Sequence, residues 1–120
     1  MIRQLLLRRV DRVAAILVAL FGLLHLYIGR AVFTDPTNPR IWFAAGGFLL
    51  VTTGLANLAA SARPTRLAAA AALSGNLALL MLGALLAKGD PDLLREPQTI
   101  ALLAIGAFLS VMRVREMGRR

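Results

Sequence analysis

The sequence predicts an all-α membrane protein, in which four transmembrane helices form an up-down bundle with both termini on the cytoplasmic side. Hydrophobic residues make up 58% of the 120 residues, which exceeds the usual share in a soluble domain. Four long runs contain no Asp, Glu, Lys or Arg. A soluble helical bundle needs a charged outer face on each helix, and these runs offer none.

The uncharged runs place the helices within one membrane domain that covers residues 1–120. The second and third runs are about 20 residues long, enough to cross a hydrocarbon core of about 30 Å. The first and last are shorter, and they span if Arg12, Arg30 and Arg113 extend their guanidinium groups to the interfaces. The expected transmembrane helices are residues 11–30, 41–62, 66–88 and 97–114.

The first nine residues, MIRQLLLRR, have the basic character of a signal-peptide n-region. No A-x-A cleavage site follows them, so we interpret the first run as a retained transmembrane helix. Apolar and Arg residues alternate within this stretch, which predicts a short interfacial helix that leads into the span.

The basic residues indicate the orientation. Ten of the 14 Lys and Arg residues lie in the N-terminal segment, the second connection and the C-terminal segment, and four lie in the first and third connections. The positive-inside rule therefore places both termini in the cytoplasm. The first connection, TDPTNPR, and the second, ARPTR, are turns, and the third contains a turn around Leu93 and Leu94.

Each run carries small or polar residues at helical spacing. Helices in lipid associate through such stripes, because small residues allow close backbone approach. We therefore expect these stripes to face the interior of the bundle, with Leu, Ile, Val and Phe facing lipid. The expected packing positions are Gly22, Gly29, Gly47, Gly54, Gly83, Gly106 and Ser110.

His25 is the one histidine in the chain and lies on the stripe of the first run, near the outer interface. It is expected to form an interhelical hydrogen bond. A pH-sensitive contact is an alternative, because imidazole titrates near neutrality. Haem ligation is another, either between two copies of the chain or with Met81 in a His/Met pair.

Two asparagines lie on the interior stripes of the second and third helices. Asn76 is halfway along its span, and Asn57 lies toward the cytoplasmic end, so His25, Asn76 and Asn57 are expected at three different depths. The amides either hold helices in register or line a polar path for a ligand. Tyr27 and Trp42, with Phe33 and Phe43, form the expected outer aromatic belt; Tyr27 and Trp42 alternatively contact a lipid or quinone.

Several classes of function are excluded or disfavoured. The chain has no cysteine, which excludes thiol catalysis and cysteine-ligated metals. No carboxylate is expected within any span, which disfavours a proton-coupled exchanger of the small four-helix type. No metal site, cofactor, nucleic-acid surface or enzyme constellation is predicted; the loop acids Asp35, Asp90, Asp92 and Glu96 fit solvated turns.

The segment PRIWFAAGGFLLVTTGLANLAA, residues 39–60, resembles a segment of small bacterial membrane proteins of unassigned function. It shares with them an aromatic pair, a glycine pair and a later Asn on the second helix, and LLH at residues 23–25 often accompanies these features. The resemblance covers about 40 residues and implies a four-helix membrane protein, with no activity assigned. The preference for Arg over Lys fits a GC-rich bacterial genome, and hence the inner membrane.

The function expected from these observations is non-enzymatic. The first hypothesis is a small homo-oligomer that binds or transports a small or lipidic ligand through a polar-lined interior. A second is an accessory subunit of a larger membrane complex, and a third is a haem-binding redox protein. The lipid bilayer is the one partner that all three share.

Overall fold

A computed structural model of the chain describes residues 1–32 and 38–118. This part of the chain is composed of helices and their connections, as the sequence predicts. Phe33 and Asp35 of the first connection lie outside the described residues. The four helices are α1 (Ile2–Val32), α2 (Asn38–Ala62), α3 (Arg66–Gly89) and α4 (Pro97–Gly118), and a 3₁₀ helix (Pro91–Arg95) joins α3 to α4.

All four helices are long and apolar enough to cross a membrane. Within the most apolar window of each helix, only 17–28% of the residues are buried. Most of the Leu, Ile and Val side chains therefore point away from the bundle, where hydrocarbon is the compatible solvent. The molecule is about 50 Å long and 25 Å wide. The chain is thus a multi-pass membrane protein with an all-α bundle.

The first helix differs from the prediction at its start. It runs without a break from Ile2, so the separate interfacial helix expected before the span does not exist. The physical reason is local, because residues 2–12 contain neither Gly nor Pro and consist largely of Leu and Arg, which favour helix. The fourth helix also continues past the predicted end at residue 114, to Gly118.

Local capping fixes the two connections that the structure describes completely. The Thr65 hydroxyl accepts a hydrogen bond from the Ala68 amide at 3.0 Å and begins α3. The Asp90 carboxylate accepts one from the Asp92 amide at 3.1 Å and begins the 3₁₀ helix. The turn expected around Leu93 and Leu94 is therefore present, and these short connections hold sequential helices antiparallel.

The closest helix pair is α1 and α2, and glycines bring it together. A Cβ atom added at Gly54 would lie 2.6 Å from the Ala19 backbone nitrogen. One added at Gly22 would lie 2.6 Å from the Val51 backbone nitrogen. Of the residues on the predicted stripes, Gly22, Gly29, Gly47, Gly54 and Gly106 are buried, and Gly83 and Ser110 are half-buried.

Candidate functional site

A buried ion pair joins the first and last helices. The Arg113 guanidinium donates from Nη2 to Oδ2 of Asp11. The side chain of Arg113 is fully buried and that of Asp11 is 2% exposed. We call the surrounding end of the bundle the basic end, defined by residues 2–12, 61–68 and 110–118. Since α1 and α4 otherwise make few contacts, this pair closes the bundle at the basic end.

Arg113 is the centre of a larger polar group. Its Nη1 lies 3.1 Å from Oε2 of Glu116, one turn along α4. The same nitrogen lies 3.5 Å from the Asn57 carbonyl oxygen of α2, at the outer limit of a hydrogen bond. Arg113 thus links α4 to both α1 and α2. The prediction that its guanidinium extends outward to the membrane interface is wrong, because the buried Asp11 carboxylate binds it inside the bundle.

Next to this group, Asn57 and Asn76 form a reciprocal amide pair between α2 and α3. Nδ2 of Asn57 donates to Oδ1 of Asn76 at 2.7 Å, and Nδ2 of Asn76 donates back at 3.3 Å. Asn57 Nδ2 also donates to the Thr53 carbonyl oxygen at 2.9 Å. Both side chains are fully buried. The two amides therefore hydrogen-bond each other across the α2–α3 contact.

The amide pair corrects the predicted depths. Asn76 and Asn57 were expected at central and inner levels, yet a 2.7 Å hydrogen bond requires that they share one level. Counting residues from a helix end ignores the axial offset between neighbouring helices. Here the offset between α2 and α3 depends on the connection of residues 63–65. In this connection the backbone of Thr65 is extended, with φ −114° and ψ 158°.

We expect Asn76→Leu to destabilise the bundle by about 1–3 kcal/mol, because the buried Asn57 amide then loses its partner. The double variant Asn57→Leu/Asn76→Leu should cost less than the sum of the two single changes, since no buried amide is left unpaired. Equilibrium unfolding in mild detergent with added SDS measures both. Strict additivity of the two single changes would contradict this pairing.

A pocket opens beside the ion pair at the basic end. It encloses about 210 Å³ between α1, the end of α2 and the end of α4. Oδ2 of Asp11 binds Arg113, while Oδ1 is buried and has no hydrogen-bond partner among the described residues. The pocket thus has a carboxylate in its wall and arginines at its rim. The lining residues are Gln4, Leu7, Arg8, Asp11, Ser61, Pro64, Met112, Arg115 and Glu116.

Sequence reasoning missed Asp11 and the inward role of Arg113. The premise that no carboxylate lies inside the bundle is wrong, because α1 buries Asp11. The helical spacing in the sequence does indicate both residues. Continuing the stripe of Gly22 back by steps of three and four reaches Asp11, and continuing that of Ser110 by three reaches Arg113. The predicted stripes stop at the ends of the uncharged runs, and they therefore leave out these two charged residues.

His25 lies away from this polar group, against α2. Its ring stacks on Phe43, with centroids 4.3 Å apart and planes 8° apart. A Cβ atom added at Gly46 would lie 3.6 Å from the imidazole, so the glycine leaves room for the ring. Among residues 1–32 and 38–118, His25 makes this ring stack and no interhelical hydrogen bond of the kind expected from the sequence.

This geometry predicts how His25 responds to substitution. We expect His25→Ala to destabilise the protein by about 0.5–1.5 kcal/mol through the lost ring contact, and His25→Phe to retain most of it. Unfolding measurements in the same detergent separate the two. An equal loss in both variants would point to a role for the imidazole nitrogens instead.

The remaining candidates are not brought into one site. Tyr27 is 71% exposed and Trp42 is 68% exposed, as anchors that face lipid and headgroups are. Met81 is 64% exposed on α3, and His25 is half-buried against α2. Among residues 1–32 and 38–118, no three His, Cys, Asp or Glu side chains are grouped to hold a metal ion.

Comparison of the chain with protein-family models, with curated proteins and with solved structures finds no match. The class of the protein is therefore defined by its own structure, as a four-helix multi-pass membrane protein. Its candidate functional site is the pocket at the basic end together with the buried pair Asp11–Arg113.

Proposed function

We propose that this protein is a non-enzymatic integral membrane protein that binds a small or lipidic ligand in the pocket at the basic end. The observation that carries the proposal is a pocket of about 210 Å³ beside the buried Asp11–Arg113 pair. Arg8 and Arg115 line this pocket, and their guanidinium groups can form charge-assisted hydrogen bonds with a ligand.

The interior of a single chain favours binding of a ligand over transport of a ligand through the bundle. Asn57 and Asn76 hydrogen-bond each other and Arg113 fills the space next to them. Glycine-mediated contact closes α1 against α2. A transport path therefore has to form between copies in a small homo-oligomer, which we retain as part of the proposal. We place the protein in a bacterial inner membrane with the basic end in the cytoplasm, on the excess of Arg at that end.

The pocket can be filled without altering the ion pair. Ser61 lines the pocket from the end of α2, while its neighbour Ala62 is exposed and is not among the lining residues. We expect wild-type protein, released from native membranes and measured by native mass spectrometry, to carry a bound molecule of fixed mass. Ser61→Phe should lose this molecule, and the matched control Ala62→Phe should keep it.

The other outcomes of that measurement distinguish the alternative functions. Equal retention in both variants would contradict binding in the pocket. Copurification of a large membrane protein with an empty pocket would favour the accessory subunit. A Soret band in the purified sample would favour the haem-binding reading. Circular dichroism of both variants confirms that the helices are intact.

A further inference from the structure

We propose that a groove between α1 and α4 holds one acyl chain of a phospholipid from the leaflet opposite the basic end. The buried Asp11–Arg113 pair joins the two helices at the basic end. Toward the other end, a groove of about 320 Å³ separates them. Its lining residues all differ from those of the pocket at the basic end. The groove is therefore a second site, and its ligand goes beyond the function proposed for the pocket.

The walls of the groove are apolar and reach the core of the bundle. Phe21, Leu102 and Ile105 form its floor, where each is half-buried and packs against the buried core. Leu17 and Leu24 form its rim on α1 and are 50% and 49% exposed. A water molecule in a cavity needs about two to four polar partners, which hydrocarbon walls do not supply. Hydrocarbon is therefore the compatible content of this groove.

The groove lies within one leaflet of the bilayer. It covers residues 17–24 of α1 and 98–105 of α4, which is about 10 Å along each helix axis. One leaflet contributes about 15 Å of hydrocarbon. Gln98, in the first turn of α4, is exposed at one end of the groove, and its Nε2 donates to Oε2 of Glu96 at 3.1 Å. This polar end marks the headgroup level, and the groove runs from it toward the middle of the bilayer, as an acyl chain does.

The size of the wall residues favours an acyl chain over a helix from a second copy. Helices in lipid approach each other through small residues. Large Leu, Phe and Ile side chains line this groove, and Ala101 is the one small residue among its described lining. A flexible acyl chain adapts to such walls, and its contacts replace the dispersion energy that an empty groove would forfeit.

Fluorescence quenching by brominated phospholipid tests this site. Trp42→Phe removes the one native tryptophan, and Phe21→Trp in that background places a reporter on the floor of the groove. The full-length protein is reconstituted in phosphatidylcholine, of which an increasing fraction carries bromine on its acyl chains. We expect the reporter to lose fluorescence in proportion to that fraction, because a single bound chain contacts it. Leu55→Trp reports the open lipid face, where Leu55 is 54% exposed, and its fluorescence should fall more steeply because several lipids reach it.

A variant that fills the groove gives the second arm of the test. Ala101 is exposed and lines the groove, whereas Ala104, about one turn further along α4, is exposed outside the lining. Ala101→Phe should remove most of the quenching of the Phe21→Trp reporter, since the new ring occupies the place of the chain. Ala104→Phe, the matched control, should leave the quenching unchanged. Leu102→Trp is a second reporter on the floor, and circular dichroism confirms that each variant keeps its helices.

Three outcomes would overturn the proposal. Unquenched fluorescence of both floor reporters would exclude lipid from the groove. A quenching curve as steep as that of Leu55→Trp would mean that the groove meets only exchanging bulk lipid. Quenching that increases when the protein is diluted into excess lipid would show that a second copy covers the groove. Ser61→Phe should leave the quenching intact, so that failure of the pocket at the basic end and failure of this site are distinguishable.

Discussion

Arg113→Met is expected to destabilise the protein by about 3–5 kcal/mol, which would be the largest loss from any single side chain in the bundle. The change leaves the Asp11 carboxylate buried without the guanidinium that it binds, and an uncompensated buried charge is costly. Asp11→Leu should cost less, because Arg113 keeps Glu116 at 3.1 Å and the Asn57 carbonyl oxygen at 3.5 Å.

The double variant Asp11→Leu/Arg113→Met should recover most of the loss, since replacing both partners of a buried ion pair with apolar residues is often close to neutral. Reversible unfolding in detergent with added SDS gives the double-mutant cycle. Arg12→Met, which alters an exposed arginine next to Asp11, is the control. A double variant as unstable as Arg113→Met would mean that the pair is not formed.

Gly54→Ala is expected to destabilise the protein by about 1–3 kcal/mol relative to a glycine that has free space around it. The new Cβ atom would lie 2.6 Å from the Ala19 nitrogen and 2.7 Å from the Ala15 carbonyl oxygen. Both are backbone atoms and cannot rotate away. The α1–α2 pair must therefore separate, and close packing is what holds helices together in lipid.

Two other glycines give a graded control. At Gly75 the nearest atom is the Thr53 hydroxyl oxygen, at 2.9 Å, and a side chain can move, so Gly75→Ala should cost less. At Gly89 nothing lies within 4 Å, so Gly89→Ala should be neutral or slightly stabilising. The same unfolding assay ranks the three. Equal effects at Gly54 and Gly89 would show that α1 and α2 are not in close contact.

The sequence was a good guide to features that depend on neighbours along the chain. Four apolar runs determine four helices, because hydrocarbon requires every backbone group to be paired within its own segment. Small residues at helical spacing determine the inner faces, and Gly22, Gly54 and Gly106 are indeed buried. Both properties are periodic and local, so each can be derived from residues within about 20 positions of one another.

The tertiary structure alone decided which polar groups meet. Asp11 and Arg113 are 102 positions apart, and nothing near either residue specifies the other. Asn57 and Asn76 share a level only because the α2–α3 connection sets the axial offset of two helices. The pocket exists where three helix ends leave space beside a buried carboxylate. These features depend on the relative placement of whole helices, which hydropathy and helical periodicity do not specify.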